Sequence, residues 1–395
     1  MSINEIGVNV VETGKNTLSL YVHIPFCNSK CNYCAFISMV ATNDDKTRYF
    51  KALLEEIKLQ SKNYRKDYTV SSIYIGGGTP SCLDYYYIRD LLSLIYKNFA
   101  VKNTAEITIE LNPNSADKTK IREYILSGVN RFSIGLQSTN PKILKTMGRT
   151  HTVNDFVNTV NAIREYGIKN ISADIIIGYP NQKMADIKDT ITFLTKLEIP
   201  HISSYMLQVE DGTPLKLMVD NGALEPADDD TVISMYNYVH ETLAKAGYSR
   251  YEFSNFAKPT FESYHNSTYW QRKDYLGVGL AAHSYINGVR FSNTEYIIKY
   301  VSTIESKQEV PVESSRELSV DEQKEEFIML SLRTKDGIDL SKYKEVFGEN
   351  LVHAKKDKIA QLIIDGFLIL TENNHLICTN KGFLVLNKII LEIVA

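Results

Sequence analysis

Between residues 18 and 207 the chain alternates short β-rich runs with amphipathic stretches of helix length, and this constrains its fold more than any other feature. Leu18–Ile24, Ser72–Ile75, Glu106–Leu111, Arg131–Gly135, Ser172–Ile177 and Ile202–Leu207 read as strands. Helical spacing separates them at Asp44–Gln60, where Tyr49, Leu53 and Ile57 recur every fourth residue. It returns at Tyr85–Asn98, Lys118–Leu126, Val153–Tyr166 and Asp186–Leu197. About six βα units result, and right-handed crossovers between parallel strands allow an α/β barrel or an open doubly wound sheet. The unusual residues favour the barrel, because nearly all sit at strand ends. A cysteine loop follows the first strand, Gly76–Thr79 the second, and Glu110 ends the third. Gln137 follows the fourth and Asp174 lies in the fifth. Barrels build their active sites at the C-terminal ends of their strands, so these scattered residues would meet at one mouth.

A chain of 395 residues is too long for one small core. The polar stretch Glu305–Glu317 reads as a linker between a domain of residues 1–304, with its barrel core at about 18–215, and a smaller one of residues 318–395. The smaller part shows helices near Glu322–Thr334, Ser341–Phe347 and Asn350–Asp365. A hairpin follows, with Phe367–Leu370 and Leu376–Thr379 around Asn373-Asn374, and then a last helix from Lys381. That pattern resembles a winged helix. Residues 316–395 carry 11 Lys or Arg against 13 Asp or Glu, and the whole chain has a net charge of −3. No nucleic-acid partner is expected from such a balance. Met1–Ser19 lacks the basic and apolar regions of a signal peptide, and no run is apolar for the length of a membrane span. A cytoplasmic protein without an integral membrane segment is the expectation.

Three of five cysteines crowd into Cys27-Asn-Ser-Lys-Cys31-Asn-Tyr-Cys34, while Cys82 and Cys378 stand apart. Five are too few for a disulfide scaffold of this size. Zinc sites usually pair CxxC with a second cysteine or histidine pair, and none follows here. Soft thiolates suit an iron–sulfur cluster. Three sulfurs on a four-iron cubane leave one iron open to a chelating ligand.

The CxxxCxxC spacing is the hallmark of the radical S-adenosylmethionine (SAM) superfamily. With Tyr21-Val-His-Ile-Pro-Phe26 leading into it, the chain resembles the coproporphyrinogen III dehydrogenase-like branch from Tyr21 onward, C-terminal domain included. The resemblance implies a partial (β/α)6 barrel and a [4Fe–4S] cluster on Cys27, Cys31 and Cys34. It also implies SAM bound through its amino and carboxylate groups at the open iron and cleaved to a 5′-deoxyadenosyl radical. Gly76-Gly77-Gly78-Thr79-Pro80 lacks the Gly-Lys-Ser/Thr of a P-loop and looks like the stretch that meets the SAM amino group. Arg149 suits the SAM carboxylate. By resemblance, Tyr21, Gly77, Gly78, Thr79, Glu110, Gln137, Arg149 and Asp174 match the family's SAM-contacting positions. Gly277-Val-Gly279-Leu-Ala-Ala282 mimics a dinucleotide fingerprint but reads as a turn or close packing.

Two functions compete within the branch. The dehydrogenase adds a cysteine two residues past the third, where this chain has Phe36. The HemW-type haem chaperones carry HNxxYW, which His265-Asn-Ser-Thr-Tyr269-Trp270 matches, and Ala282-His283-Ser284 resembles that subgroup too. A neutral imidazole can ligate haem iron, and aromatic rings can stack on a porphyrin. His265, Tyr269 and Trp270 are therefore candidate haem contacts, although a histidine among aromatics is most often simply packed and hydrogen-bonded. The chaperone resemblance implies haem as ligand and haem-accepting partners, chiefly respiratory enzymes of the membrane, met peripherally during transfer. The alternative is a radical oxidoreductase acting on a tetrapyrrole. Whether the chain acts as a monomer or a homodimer is left open.

Overall fold

The computed structural model describes residues 15–395. The reading of the N-terminus as free of a signal peptide falls largely outside them. Six parallel strands lie side by side in chain order: β1 (Asn16–Ile24), β2 (Tyr68–Gly77), β3 (Val101–Leu111), β4 (Arg131–Gln137), β5 (Ile171–Ile177) and β6 (His201–Met206). Helices α1 (Asn43–Tyr64), α2 (Tyr85–Asn98), α3 (Lys118–Leu126), α4 (Pro141–Thr146), α5 (Val153–Glu165) and α6 (Met184–Lys196) run between them. This is the expected partial (β/α)6 barrel. Apolar strand residues such as Leu20, Ile73, Ile109, Ile134 and Ile175 are fully buried in one continuous core with helix residues such as Leu53, Leu91 and Ile163. Caps explain where the helices begin: Thr42, Asp117, Asn140 and Thr152 each accept a backbone N–H of the helix that follows.

The sheet continues past both edges of the six strands. After α7 (Pro214–Asp220) and α8 (Asp229–Lys245), β8 (Asn255–Ala257) adds antiparallel to β6, and β7 (Ser249–Arg250) pairs antiparallel to β8 at the edge. After the short α9 (Tyr264–Trp270), β9 (Tyr275–Val278) pairs parallel with β1. Then β10 (His283–Ile286) and β11 (Val289–Asn293) continue that edge. The segment read as a linker is instead structured. α10 (Ile297–Lys307) covers α1, and β12 (Val312–Glu317) pairs along β11 from Val289↔Glu317 to Asn293↔Val312. Every residue of β12 is exposed. An edge strand satisfies its backbone without burying side chains, so it has no apolar alternation to read. The glycine stretch at 277–282 is close packing, as expected: a Cβ on Gly279 would meet the His23 carbonyl at 2.7 Å.

The C-terminal unit has its own core, including Phe327, Leu332, Ile338, Leu362, Leu376 and Ile389. It comprises α11 (Val320–Ser331), β13 (Ile338–Asp339), α12 (Leu340–Phe347), α13 (Leu351–Ala354), α14 (Lys356–Ile364), β14 (Leu368–Leu370), β15 (His375–Cys378), α15 (Asn380–Phe383) and α16 (Leu386–Val394). Its three strands order β13-β15-β14, the winged-helix-like pattern. The helix expected over Asn350–Asp365 is broken at Lys355. Contacts to the barrel run through Glu326 to Arg290 (2.5 Å) and Arg272 (3.7 Å), through a Glu252–Thr334 bridge, and through Arg250 stacked 3.8 Å over Phe383. Among the described residues no helix is long and apolar enough to cross a membrane.

Candidate functional site

Strand β1 ends at Ile24, and the cysteine loop leaves from it. A bridge between Phe26 and Met39 closes the loop at its base, with Cys27 N–H donating to Met39 O and Met39 N–H to Pro25 O. His23 fixes the loop from inside. Its Nε2 lies 2.8 Å from Ile37 O and its Nδ1 2.9 Å from the Tyr21 hydroxyl. A carbonyl can only accept, so Nε2 carries the proton and Tyr21 O–H donates to Nδ1. Burial lowers the pKa of His23, which keeps the ring neutral.

The glycine run following β2 is packed against this loop. A Cβ on Gly77, which has φ +112°, would strike the His23 ring at 2.5 Å, and one on Gly78 would strike Phe26 O at 2.6 Å. The N–H groups are already spent: Gly77 on Glu110, Gly78 on Ile24 O and Thr79 on Phe26 O. The run can still offer a ligand carbonyl oxygen and the Thr79 hydroxyl, which suit an ammonium. That hydroxyl stands 3.6 Å from Cys27 Sγ.

Arg149 reaches in from the loop after α4. Its Nη1 lies 3.6 Å from Cys31 Sγ, while Nη2 donates to Gly135 O at 2.7 Å and to Asn112 Oδ1 at 3.2 Å. Its Nε is buried with no partner. A side chain at Gly135 would displace this set, because a Cβ there would lie 2.8 Å from both Arg149 Nη2 and Gln137 Nε2. Gln137 ends β4 in the left-handed region at φ 66°. A cavity of about 400 Å³ opens beside Arg149 and His151. Deeper in the barrel, Glu110 accepts from Tyr74 O–H (2.8 Å) and Gly77 N–H (3.1 Å), and burial raises its pKa to about 7. Asp174 accepts from Ser133 Oγ at 2.9 Å and is likewise pushed up by burial.

These residues fit a three-thiolate cluster with a zwitterionic ligand. Burial holds the Cys27 and Cys34 thiols protonated to higher pH than usual, so a bound metal must displace their protons. A permanent cation stands beside Cys31, and one of its N–H groups awaits an acceptor. Cys82 Sγ lies 3.4 Å from Phe26 O and donates to that carbonyl. Among the described residues no three His, Cys, Asp or Glu side chains gather on a single ion. A cubane does not require that, since each thiolate takes a different iron. Sequence reasoning missed His23, Asn112 and Tyr33, which act through partners distant in sequence. Tyr33 stacks edge-on to Tyr179 with ring centres 6.4 Å apart.

The HNSTYW segment lies behind these residues, against Tyr74. It forms α9, which plugs the barrel at the start of its strands. Glu106 accepts from the N–H groups of Tyr264 and His265 at 3.0 Å each. His265 Nδ1 lies 2.8 Å from Ser72 Oγ and Nε2 2.8 Å from Tyr269 O–H. Tyr74 stacks at 5.2 Å from the same ring. The ring is 1% exposed, and burial drops its pKa to about 3. Tyr74 joins this network to the mouth, since its hydroxyl donates to Glu110, which in turn accepts from Gly77 N–H. Direct ligation of haem iron by His265 therefore does not match this geometry: both nitrogens are engaged and iron has no approach. Trp270 is partly exposed, and His283 is exposed on β10. The C-terminal unit contacts the barrel beside this plug, where Arg250, Glu252 and Arg272 flank α9.

Comparisons with known proteins agree with this architecture. A radical SAM superfamily model matches residues 21–194, and a HemN C-terminal domain model matches residues 318–385. Heme chaperone HemW of Lactococcus lactis is 34% identical over 94% of this chain and 96% of its own length. The Bacillus subtilis protein of that name is 32% identical over 94% and 97%. Mitochondrial radical S-adenosyl methionine domain-containing protein 1 of Danio rerio is 32% identical over 94% and 86%. Among solved structures, coproporphyrinogen III oxidase (HemN) from Escherichia coli superposes with a TM-score of 0.85 over 99% of this chain and 92% of that one, at 22% identity, a likeness of fold. The chain belongs to the radical SAM superfamily and, within it, to the HemW family.

Proposed function

We propose that this protein binds haem and passes it to haem-requiring proteins, respiratory enzymes of the membrane foremost, while holding a [4Fe–4S] cluster and SAM at the barrel mouth. One observation carries the reading. Phe36, 71% exposed, stands where the dehydrogenase pattern has its further cysteine, in a chain similar along nearly its whole length to the heme chaperones HemW of Lactococcus lactis and Bacillus subtilis. Cys27, Cys31 and Cys34 are the cluster ligands, with Arg149 beside them for the SAM carboxylate. Thr79 and the carbonyls of Gly77 and Gly78 serve its ammonium, and Glu110, Gln137 and Asp174 its hydroxyl and base groups. When bound, the cluster supplies one-electron reduction of SAM. The chain's part is placement: the Tyr21–His23–Ile37 relay pins the cysteine loop, and Arg149 keeps positive charge against Cys31. Glu110, its pKa raised to about 7 by burial, changes protonation near neutrality while accepting from Tyr74 O–H and Gly77 N–H. The part of His265 and Tyr269 is indirect, as the floor that holds Ser72 and Tyr74 in register.

The test is an anaerobic haem titration of the cluster-reconstituted chain, followed by absorbance and by transfer to an apo-haem protein. Saturable binding with haem appearing in the acceptor supports the reading. A second reading, a radical oxidoreductase acting on a tetrapyrrole, is favoured by the complete set of residues around the mouth. Absence of saturable binding, with 5′-deoxyadenosine formed on adding a tetrapyrrole, would establish it instead.

A further inference from the structure

If the chain binds haem, some group must meet the iron, and HNSTYW does not present one. His23, His201 and His265 have both ring nitrogens hydrogen-bonded. His151 is buried, with one nitrogen on Leu136 O. His240 is half-buried against Phe256, and His375 is bonded to Asp336 O. His283 and His353 are exposed, and neither ring has a hydrogen bond among the described residues. Of these two, His353 lies in a cavity.

The cavity is an open groove of about 910 Å³ in the C-terminal unit, between α12, the start of α13 and the β14–β15 hairpin. Leu340, Val352 and Leu370 give it apolar walls. Lys344 and Lys356 stand at its edge, and neither has an ion-pair partner among the described residues. Glu345 also lines it, leaving a net positive rim. Ligand sites commonly enclose some 300–1,000 Å³, mostly apolar with a few placed polar groups. Asn350 holds the ligand-bearing turn by accepting His353 N–H at 3.0 Å, and Asn374 Nδ2 ties the hairpin to Ser341 Oγ at 2.9 Å.

We infer that this groove is a haem site, with His353 as axial ligand, Lys344 and Lys356 on the two propionates, and Leu340, Val352 and Leu370 against the porphyrin face. The inference rests on the haem-binding reading above and adds the place. Haem uses all three features at once: a flat apolar body, paired carboxylates and an iron that takes imidazole nitrogen. A nucleic acid would use only the lysines, and the domain around them is net negative. A site here lies in the C-terminal unit, apart from the barrel residues of the cysteine loop, and leaves the bound haem open to an acceptor protein.

The full chain is titrated with haemin and, separately, with iron-free protoporphyrin IX. His353→Ala is expected to weaken haemin at least about tenfold and shift its Soret band, while leaving protoporphyrin IX nearly unchanged. Lys344→Glu with Lys356→Glu is expected to weaken both pigments by about tenfold or more. Circular dichroism of each variant confirms that the unit stays folded. Wild-type binding with an unchanged spectrum and affinity in both variants overturns the groove and leaves the haem reading standing. Wild type that binds no haemin overturns both. A salt-sensitive DNA shift by the full chain, abolished by the lysine changes while haemin binding persists, overturns the groove in favour of nucleic acid.

Discussion

Glu56 shows what burial does to a single carboxyl. It lies under β9, accepting from Gly279 N–H (2.8 Å), Asn293 Nδ2 (2.6 Å) and Tyr300 O–H (2.5 Å), yet desolvation outweighs these bonds and lifts its pKa to about 7. The folded state then binds the proton more tightly than the unfolded one, so the group's stabilising contribution is complete below about pH 4.5 and is lost as pH rises to about 7. At ~1.4 kcal/mol per pH unit this amounts to roughly 3 kcal/mol at most. Denaturant midpoints between about pH 5 and about pH 8 should fall less steeply in Glu56→Gln than in wild type. Arg149 is the second residue to test. Arg149→Met removes its bonds to Gly135 O and Asn112, and should cost about 2–3 kcal/mol together with a large loss of SAM affinity, read by equilibrium dialysis. The cysteines and Glu110 were legible as candidates because their chemistry is rare at strand ends, and Arg149, in the loop between α4 and α5, only through the family resemblance. His23 and Asn112 were not, because their partners, Ile37 and Arg149, come together only through the fold.

Strands β1 to β6 were legible because each carries closely spaced buried apolar residues and is followed by a stretch of helical period. β12 and α9 were not. The edge strand buries nothing, and α9 has only seven residues, held by Ser19, Ser72 and Glu106 from far upstream. The motif it carries was noticed, and its histidine takes the packed, hydrogen-bonded setting that a histidine among aromatics usually has. His265→Ala strands Ser72 and Tyr269 and opens a void, so a loss of about 2–4 kcal/mol in denaturant unfolding is expected. The Soret maximum of the haem-loaded variant should stay where it is in wild type. A shifted maximum with unchanged stability would restore His265 as an iron ligand.

At the scale of the molecule, two cores are joined by a few polar and aromatic contacts beside α9. Glu326 is 15% exposed and is the common partner of Arg272 and Arg290. Glu326→Ala leaves both cations without it and should loosen docking by about 1–3 kcal/mol. Faster limited proteolysis near Leu318 than in wild type would report this. The boundary was legible only in part: the polar residues 305–317 marked the change of pattern, but the sheet of the first unit runs through them.

The central claim is that a radical SAM frame with Phe36 in place of the dehydrogenase cysteine serves haem transfer, not porphyrinogen oxidation. Reconstituted protein, reduced and supplied with SAM and coproporphyrinogen III, tests it most directly, with tetrapyrroles resolved by chromatography. Coproporphyrinogen III recovered unchanged, from the same preparation that saturates with haem, is the predicted result. Sustained conversion to protoporphyrinogen IX would contradict it.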